Sequence, residues 1–492
     1  MKKKYCLSVF LFIIIFITFI YKYNYNKDVS VDLEVNHKNE MISMMLETEA
    51  GSGKYEVTTS NVWPTEGYVF NSDLSGCENG GNLSWDDSNK TIIMSGNVSD
   101  KCYVYFDKKN PVLLNDYVMS LYTGTQGENG LYYHDSSLAN GAEDNSYRYA
   151  GGDYVLTDAG KALGVTKIFS ATADDTSGLI DFYCGTEKRF YGDHCSSTLT
   201  IYYLLKNDTT KYSSYYEVIE KAYENGYITG NVNNYVCFGS DERTCPVDNL
   251  YRIIGVFDNR VKLIKADYAT TSLLGTDGDY KEKYSYIKFC YKGSILLSNI
   301  GGYMWNYNGL SDHTGDNETG SNTWSTSLLN KTNLNTNYLN NIGSKWSSLI
   351  DTTTWKVGGN TYFKIIKVIP SVAYQNEIIN PDDNLTYVAK VGLMYVSDYG
   401  FAASPSSWTT ELYDYRNLSI STENWMYMGL VEWSIMPRSD TLNYVYYVYN
   451  YGNVVNIDAI NAFSVRPVIF LNTSVVYVNG SGTQSDPIRI TD

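Results

Sequence analysis

Adjacent aspartates occur three times in this chain, at Asp86-Asp87, Asp174-Asp175 and Asp382-Asp383. A carboxylate pair is the least equipment that general acid and base catalysis requires. All three pairs lie among Ser, Thr, Asn and Gly, where neighbouring carboxylates are solvated turn residues rather than a glycosidase pair. No other catalytic constellation takes their place. The sequence has no G-x-S-x-G elbow, no H-E-x-x-H, no phosphate-cradling Gly-Lys-Ser/Thr loop and no G-x-G-x-x-G after a strand. Four histidines leave few candidates for a base that titrates near neutral pH. The expectation is a protein that is not an enzyme and has no catalytic residue. One segment, "SDHTGDNETGSN" at 311–322, offers Asp312, Asp316 and Glu318 to Ca²⁺ without matching the regular calcium loop. No other cofactor is expected.

The cysteines carry a different chemistry. After Cys6, six of seven fall into short-range couples, Cys77/Cys102, Cys184/Cys195 and Cys237/Cys245, with Cys290 left over. Such couples read as loop staples in an oxidising compartment. No couple has zinc-finger spacing and only His194 neighbours a cysteine, so no metal site is expected.

The densest polar and aromatic chemistry lies near the C-terminus, in "SDTLNYVYYVYNYGNVVNIDAINAFSVRPVIFL". Five tyrosines and five asparagines fall between Asn443 and Asn461. Tyr offers a large amphipathic contact at small rotamer cost, and Asn offers adaptable hydrogen bonds; together they are the alphabet of paratopes. The candidate ligand-binding residues are Asp440, Asn443, Tyr444, Tyr446, Tyr447, Tyr449, Asn450, Tyr451, Asn453, Asn456, Asp458 and Asn461. Alternation over Asn443–Tyr451 puts Val445, Tyr447, Tyr449 and Tyr451 on one face of a strand and Tyr444, Tyr446, Val448 and Asn450 on the other. Gly452-Asn453 reads as a two-residue turn, with Val454–Ile457 returning. Arg466 is read as a structural residue that fixes the base of this hairpin. The plainer reading of the stretch is a half-buried hairpin whose tyrosines pack as strand aromatics do.

Other elements must present this hairpin. Lys2–Lys4 precede an apolar run from Tyr5 to Ile20, the pattern of an export signal, and no small-x-small cleavage site follows it. This predicts a single-pass anchor at 5–23 with residues 1–4 cytoplasmic and the remainder outside the cell. Residues 24–53 read as a stalk, helical over Met41–Glu49. Residues 54–107 form short alternating runs between turn formers, a small β module tied by Cys77 and Cys102. A mixed region, 108–234, reads as holding an insertion at 152–230, flanked by "SYRYAG" and "NNYVCFGSD", which could pair directly.

The C-terminal unit, 235–478, precedes a tail at 479–492. Within it, Tyr251–Phe257 and Val261–Lys265 flank a hairpin turn at Asp258-Asn259-Arg260. Leu334, Tyr338, Ile342, Trp346 and Ile350 make a helical core stripe broken at Gly343. "TWKVGGNTYFKIIKVIP" reads as a hairpin across Gly358-Gly359-Asn360, and "AKVGLMYVSDYGFA" as a strand entering a loop. The fold class is α+β, β-rich and multidomain. A net charge of −16 argues against nucleic acid and against an anionic membrane surface as partners.

The runs "NLYRIIGVF…VKLI", "W…LLN", "VGLMYVSDYGFA" and "SVRPVIFLN" resemble an uncharacterised domain of anchored surface proteins in gut bacteria. The segment "TSNVWPTEGYVF…C…LSW…C" resembles a module that often precedes it. The closing order of a Trp, a hairpin and "VRPV" is similar to the end of C-type-lectin-like folds related to the formylglycine-generating enzymes. The copper-binding cysteine pair of those enzymes has no counterpart after Cys290, nor do the calcium motifs of sugar-binding lectins. Some members of that wider fold are diversified by retroelements at Asn codons, which cannot become Lys, Glu, Gln, Met or Trp. Ser439–Ser464 contains none of these five. The resemblance implies an anchored, outward-facing adhesion protein with an extracellular protein or glycan as ligand. Its rivals are a structural or self-assembling envelope component with the hairpin in a subunit interface and, third, an enzyme of unrecognised type.

Overall fold

The computed structural model describes residues 42–60, 62–64, 67–95, 100–162, 170–175, 178–181, 199–203, 221–283, 291–311, 318–421 and 423–491. The fold is mixed α+β and rich in strands, in two compact units, Met1–Pro111 and Val112–Asp492. The expected anchor, Cys184, Cys195, Cys290, Asp312 and Asp316 lie outside the described residues. Glu318 opens a strand, Glu318–Gly320. Among the described residues no helix is long and apolar enough to cross a membrane.

In the first unit, the segment expected to be a helical stalk is a strand. Ile42–Glu47 runs parallel to Cys102–Lys108 and antiparallel to Tyr55–Val57, at the middle of the sheet. The helix-forming Met, Leu and Glu of "ISMMLE" are overruled by this pairing, a tertiary gain larger than a propensity difference of a few tenths of a kcal/mol per residue. Glu47 is buried, and its two carboxylate oxygens accept from Gly53 N at 2.7 Å and Lys108 N at 3.0 Å. Met44, Trp63, Ile92, Val104 and Phe106 make the core. Cys77 and Cys102 sit directly opposite each other on paired strands and form a disulfide, as their spacing suggested.

The second unit is built on Leu250–Phe257 and Arg260–Lys265. Asp258 and Asn259, with φ of 47° and 61°, close the two-residue turn between them, as expected. Further antiparallel strands extend this sheet, in the order Val391–Gly392, Val468–Phe470, Arg260–Lys265, Leu250–Phe257, Tyr147–Tyr149 and Leu131–Tyr133. "SYRYAG" and "NNYVCFGSD" do not pair with each other. Tyr147–Tyr149 and Tyr235–Cys237 lie end to end along the same eight-residue strand, which is long enough to take both. Between them Tyr154–Leu156 pairs with Ile228–Gly230, closing the base of the inserted segment. The division between the two units lies near residue 111, close to the boundary read at 107/108, and residues on both sides of 234/235 and in the 479–492 tail belong to the second unit. Its strand Arg489–Thr491 pairs with Val476–Asn479, which pairs with Val112–Leu113. A second disulfide joins Cys237 and Cys245.

The helical stripe holds: Leu334, Tyr338, Ile342, Trp346 and Ile350 are all buried, and the helix breaks at Gly343, φ 82°. Two other expectations fail. Thr353–Lys356 pairs with Thr386–Ala389 rather than across Gly358-Gly359-Asn360. At Gly359, φ 71°, a Cβ would stand 2.0 Å from Pro437 O, so glycine lets the chain pass against strand Glu432–Pro437 before turning into helix Tyr362–Ile365. "VSDYGF", expected as a loop, is a wholly buried helix, Val396–Phe401. The Glu377 carboxylate accepts from Val396 N and Ser397 N, both at 2.9 Å, and Asp398 accepts from Tyr395 N at 2.9 Å and from Lys262 Nζ at 2.5 Å. These partners satisfy the donors that a buried helix start leaves open.

His134 packs against this helix, with ring centroids 4.9 Å from Phe401 and 5.2 Å from Trp408. Its Nδ1 accepts from Ala142 N at 3.0 Å, and Nε2 has no hydrogen-bond partner among the described residues. Burial, then the Arg148 charge, holds its pKa well below the ordinary histidine value, against a smaller opposing pull from Asp144.

Two outcomes follow from these contacts. Replacing Cys77 and Cys102 by serine should cost the first unit about 3 kcal/mol, from the chain entropy restored to the unfolded loop. Hydrogen exchange would then rise across Ile42–Glu47 and Cys102–Lys108 and stay unchanged in Leu250–Phe257; equal protection in all three would refute the assignment. For His134, the unfolded imidazole takes a proton below about pH 6.5 that the folded one refuses, so stability falls as the pH drops through that value. Denaturation at about pH 7.5 and about pH 5.5 should show the native chain losing about 1 kcal/mol more than the His134→Gln variant.

Candidate functional site

The Tyr/Asn stretch forms the middle strand and one edge strand of a three-stranded antiparallel sheet. Tyr444–Val448 pairs with Glu432–Pro437 on one side and Val454–Asp458 on the other, in the register Tyr444↔Asp458 to Val448↔Val454. The strand is shorter and the turn longer than expected. Tyr449–Asn453 is a five-residue loop in which Tyr449 N donates to Asn453 O and Gly452 N to Tyr449 O, both 2.8 Å, with Gly452 at φ 92°. Neighbours hold this loop by its backbone. The Tyr399 hydroxyl donates to Gly452 O and the Tyr427 hydroxyl to Asn450 O, each at 2.6 Å. Tyr399 stands in the buried helix, which explains why that helix lies beneath the turn.

The alternation read from the sequence separates the candidate residues by role. Tyr446 is 0 % exposed and donates its hydroxyl to Asn360 O at 2.8 Å, so it meets no ligand in this conformation. Burial pushes its phenol well above the ordinary tyrosine value. Tyr451 and Asn453 are also buried. Asn443 donates to the Asp458 carboxylate, which also accepts from Gly320 N at 2.9 Å and Ile460 N at 3.1 Å, and Asn461 donates to Asp458 O at 2.9 Å. These residues tie the open end of the hairpin together. Asn456 is half-buried opposite Tyr446. Asp440 is exposed and held by both guanidinium nitrogens of Arg438, at 2.6 and 2.9 Å, which lowers its pKa. Tyr444, 37 % exposed, lies beside the same guanidinium.

On the opposite face, Tyr447, Tyr449, Asn450 and Asn461 come together in the wall of a cleft of about 230 Å³. Val431, Ile457 and Phe463 complete it. The aromatic contacts are close: Tyr447 lies 4.8 Å from Phe463, and Tyr449 stands edge-on to Tyr447 at 6.1 Å. Asn450 is 2 % exposed, and neither Nδ2 nor Oδ1 has a hydrogen-bond partner among the described residues. Leaving buried amide groups unpaired costs about 1–3 kcal/mol each. The sequence reading missed Val431, Ile457 and Phe463. Ile457 pairs with Val445, so carrying the alternation across the turn would have found it. Phe463 entered the sequence reading only as one residue of the quoted stretch before Arg466.

Arg466 has the structural place expected of it. Its guanidinium donates to both carboxylate oxygens of Glu432, at 2.7 and 2.8 Å, and to Met426 O at 2.6 Å, with both side chains buried. Burial raises the Glu432 pKa, while Arg466 pulls it back. Glu432 begins the strand that Tyr447 and Val448 pair with, so the ion pair fixes the floor of the hairpin.

No protein-family model, curated protein or solved structure matches the chain.

Arg466→Met should cost about 3–5 kcal/mol, because it strands a buried carboxylate. Adding Glu432→Leu should recover most of that loss, measured as a coupling in chemical denaturation. Additive costs would show that the pair does not act as a unit.

Proposed function

We propose that this chain is a membrane-anchored protein of the cell exterior that binds an extracellular ligand, protein or glycan, through the cleft beside the Tyr447–Asn461 hairpin. The observation that carries the reading is the convergence of Tyr447, Tyr449, Asn450 and Asn461 on one cleft, with a buried amide unpaired in its wall. The export-type N-terminus supports the compartment, as do two disulfides in the described residues. The C-type-lectin-like fold and the bacterial surface-protein family belong to the same reading, carried by the order of a Trp, a hairpin and "VRPV". The function is adhesion without catalysis.

A second reading is self-assembly through the hairpin's open end. It is favoured by Leu442, 87 % exposed, next to the row Tyr362, Arg438 and Tyr444, in which Arg438 lies 5.6 and 5.9 Å from the two rings. Tyr and Arg around an exposed Leu have the composition of an interface hot spot.

One experiment separates the two. Intact cells expressing the full chain are first treated with protease to establish that residues after the anchor lie outside. The same cells are then applied to arrays of glycans and extracellular proteins. Tyr449→Ala with Asn461→Ala should lower retention at least tenfold, and Leu442→Asp should leave it unchanged. Retention lost only with Leu442→Asp, together with a fall in self-association, would favour assembly.

A further inference from the structure

We infer that the cleft accommodates one uncharged saccharide ring, with a pair of neighbouring hydroxyls on the Asn450 amide. This rests on the binding reading above and names its ligand class. Three features of the site point to it. Val431, Tyr447, Tyr449, Asn450, Ile457, Asn461 and Phe463 line the cleft, and none is an acid or a base of the Asp, Glu, Lys, Arg or His kind. A charged ligand would lose its hydration there with no opposite charge to meet it. The size is the second feature. About 230 Å³ lies below the roughly 300–1,000 Å³ of sites for drug-sized ligands, which suits a single ring and not an extended chain.

The third feature is the match of surfaces. A sugar ring has an apolar C–H face and a rim of hydroxyls. Tyr447 and Phe463, 4.8 Å apart and inclined by 42°, offer aromatic surface to the first. Asn450 answers the second: one hydroxyl accepts from Nδ2 while its neighbour donates to Oδ1. A purely apolar ligand would leave that amide as unpaired as it is now. The Tyr427 hydroxyl holds the Asn450 backbone at 2.6 Å, which keeps the residue in the cleft wall. The free protein tolerates a costly orphan amide, and the ligand supplies its partners. No cation is needed for this mode of recognition.

The test uses the full-length protein in detergent micelles, with saturation-transfer NMR against methyl glycosides of neutral hexoses and N-acetylhexosamines. Methyl glucuronide and acetamide serve as contrasting probes, and each measurement is repeated with a chelator. Transfer to at least one neutral glycoside, retained in chelator, is expected. Asn450→Ala should weaken it at least tenfold while thermal stability is unchanged or raised, since the variant removes an unpaired amide. A residue with a merely structural role would lower stability instead. Transfer only to glucuronide or acetamide, abolition by chelator, or no transfer to any neutral glycoside would overturn the inference. If the array shows protein binding through Tyr449 while no glycoside binds, the saccharide assignment falls and the binding reading stands. If neither array nor glycosides show binding, both fall.

Discussion

A buried ion pair, Glu432 with Arg466, is the constraint on which the rest of the C-terminal unit depends. Arg466 lies two residues before Val468–Phe470, a strand in the middle of the seven-stranded sheet, and Glu432 begins the strand on which the hairpin is laid. Around the pair the backbone is knitted in register: Ser464 N donates to Val431 O, Trp433 N to Ser464 O, and Ile435 N to Met394 O, at 3.0–3.2 Å. Two charges taken out of water bring little net stability even when paired. What the pair provides is position, because any slip of one sheet against the other would leave a bare charge in the interior. The hairpin, and the cleft along it, inherit that registration.

The chain's 48 tyrosines have a structural use that the composition alone did not reveal. Much of the second unit is irregular backbone packed inside, where each carbonyl needs a donor. Phenols supply it: Tyr446 to Asn360 O, Tyr399 to Gly452 O, Tyr427 to Asn450 O, Tyr268 to Leu430 O, and Tyr415 to both Gly400 O and Ser407 O. Asparagine does the same work from the other side of the unit. Asn333 donates to Leu274 O, Asn335 to Val391 O, and Asn322 to Arg438 O and Thr441 O. A Tyr- and Asn-rich composition is therefore a solution to buried loops.

Legibility follows the range of the forces. Turn chemistry at Asp258-Asn259, the four-residue spacing from Leu334 to Ile350, and the short couples Cys77/Cys102 and Cys237/Cys245 are local, and all appear as read. Ile42–Glu47 was misread because a parallel partner about sixty residues away, Cys102–Lys108, decides its state. The helix Val396–Phe401 was misread because Glu377, from a distant helix, satisfies Val396 N and Ser397 N, and because its capping box pairs Asp398 with Tyr395 rather than with a Ser or Thr. The five-residue turn was misread because, beside the bonds within the turn, its carbonyls at Asn450 and Gly452 are held from outside by Tyr427 and Tyr399.

The same distinction bears on the site. Period-two alternation was legible, and it assigned Tyr447 and Tyr449 to one face and Tyr446 to the other; which face was core was not, because both are largely buried. Asn443, Asp458 and Asn461 hydrogen-bond one another or the backbone, and Tyr446 and Tyr451 pack inside, so most polar groups in the stretch are already engaged. Asn450 is different: it lies in the cleft wall with donor and acceptor both unused among the described residues. Substitution of the kind a retroelement makes would be tolerated at Asp440, Tyr444, Tyr449 and Asn450, whose side chains are exposed or border the cleft. At Tyr446 it would open a cavity and strand Asn360 O. The freedom to vary thus falls on the few positions that the fold leaves exposed or at the cleft wall.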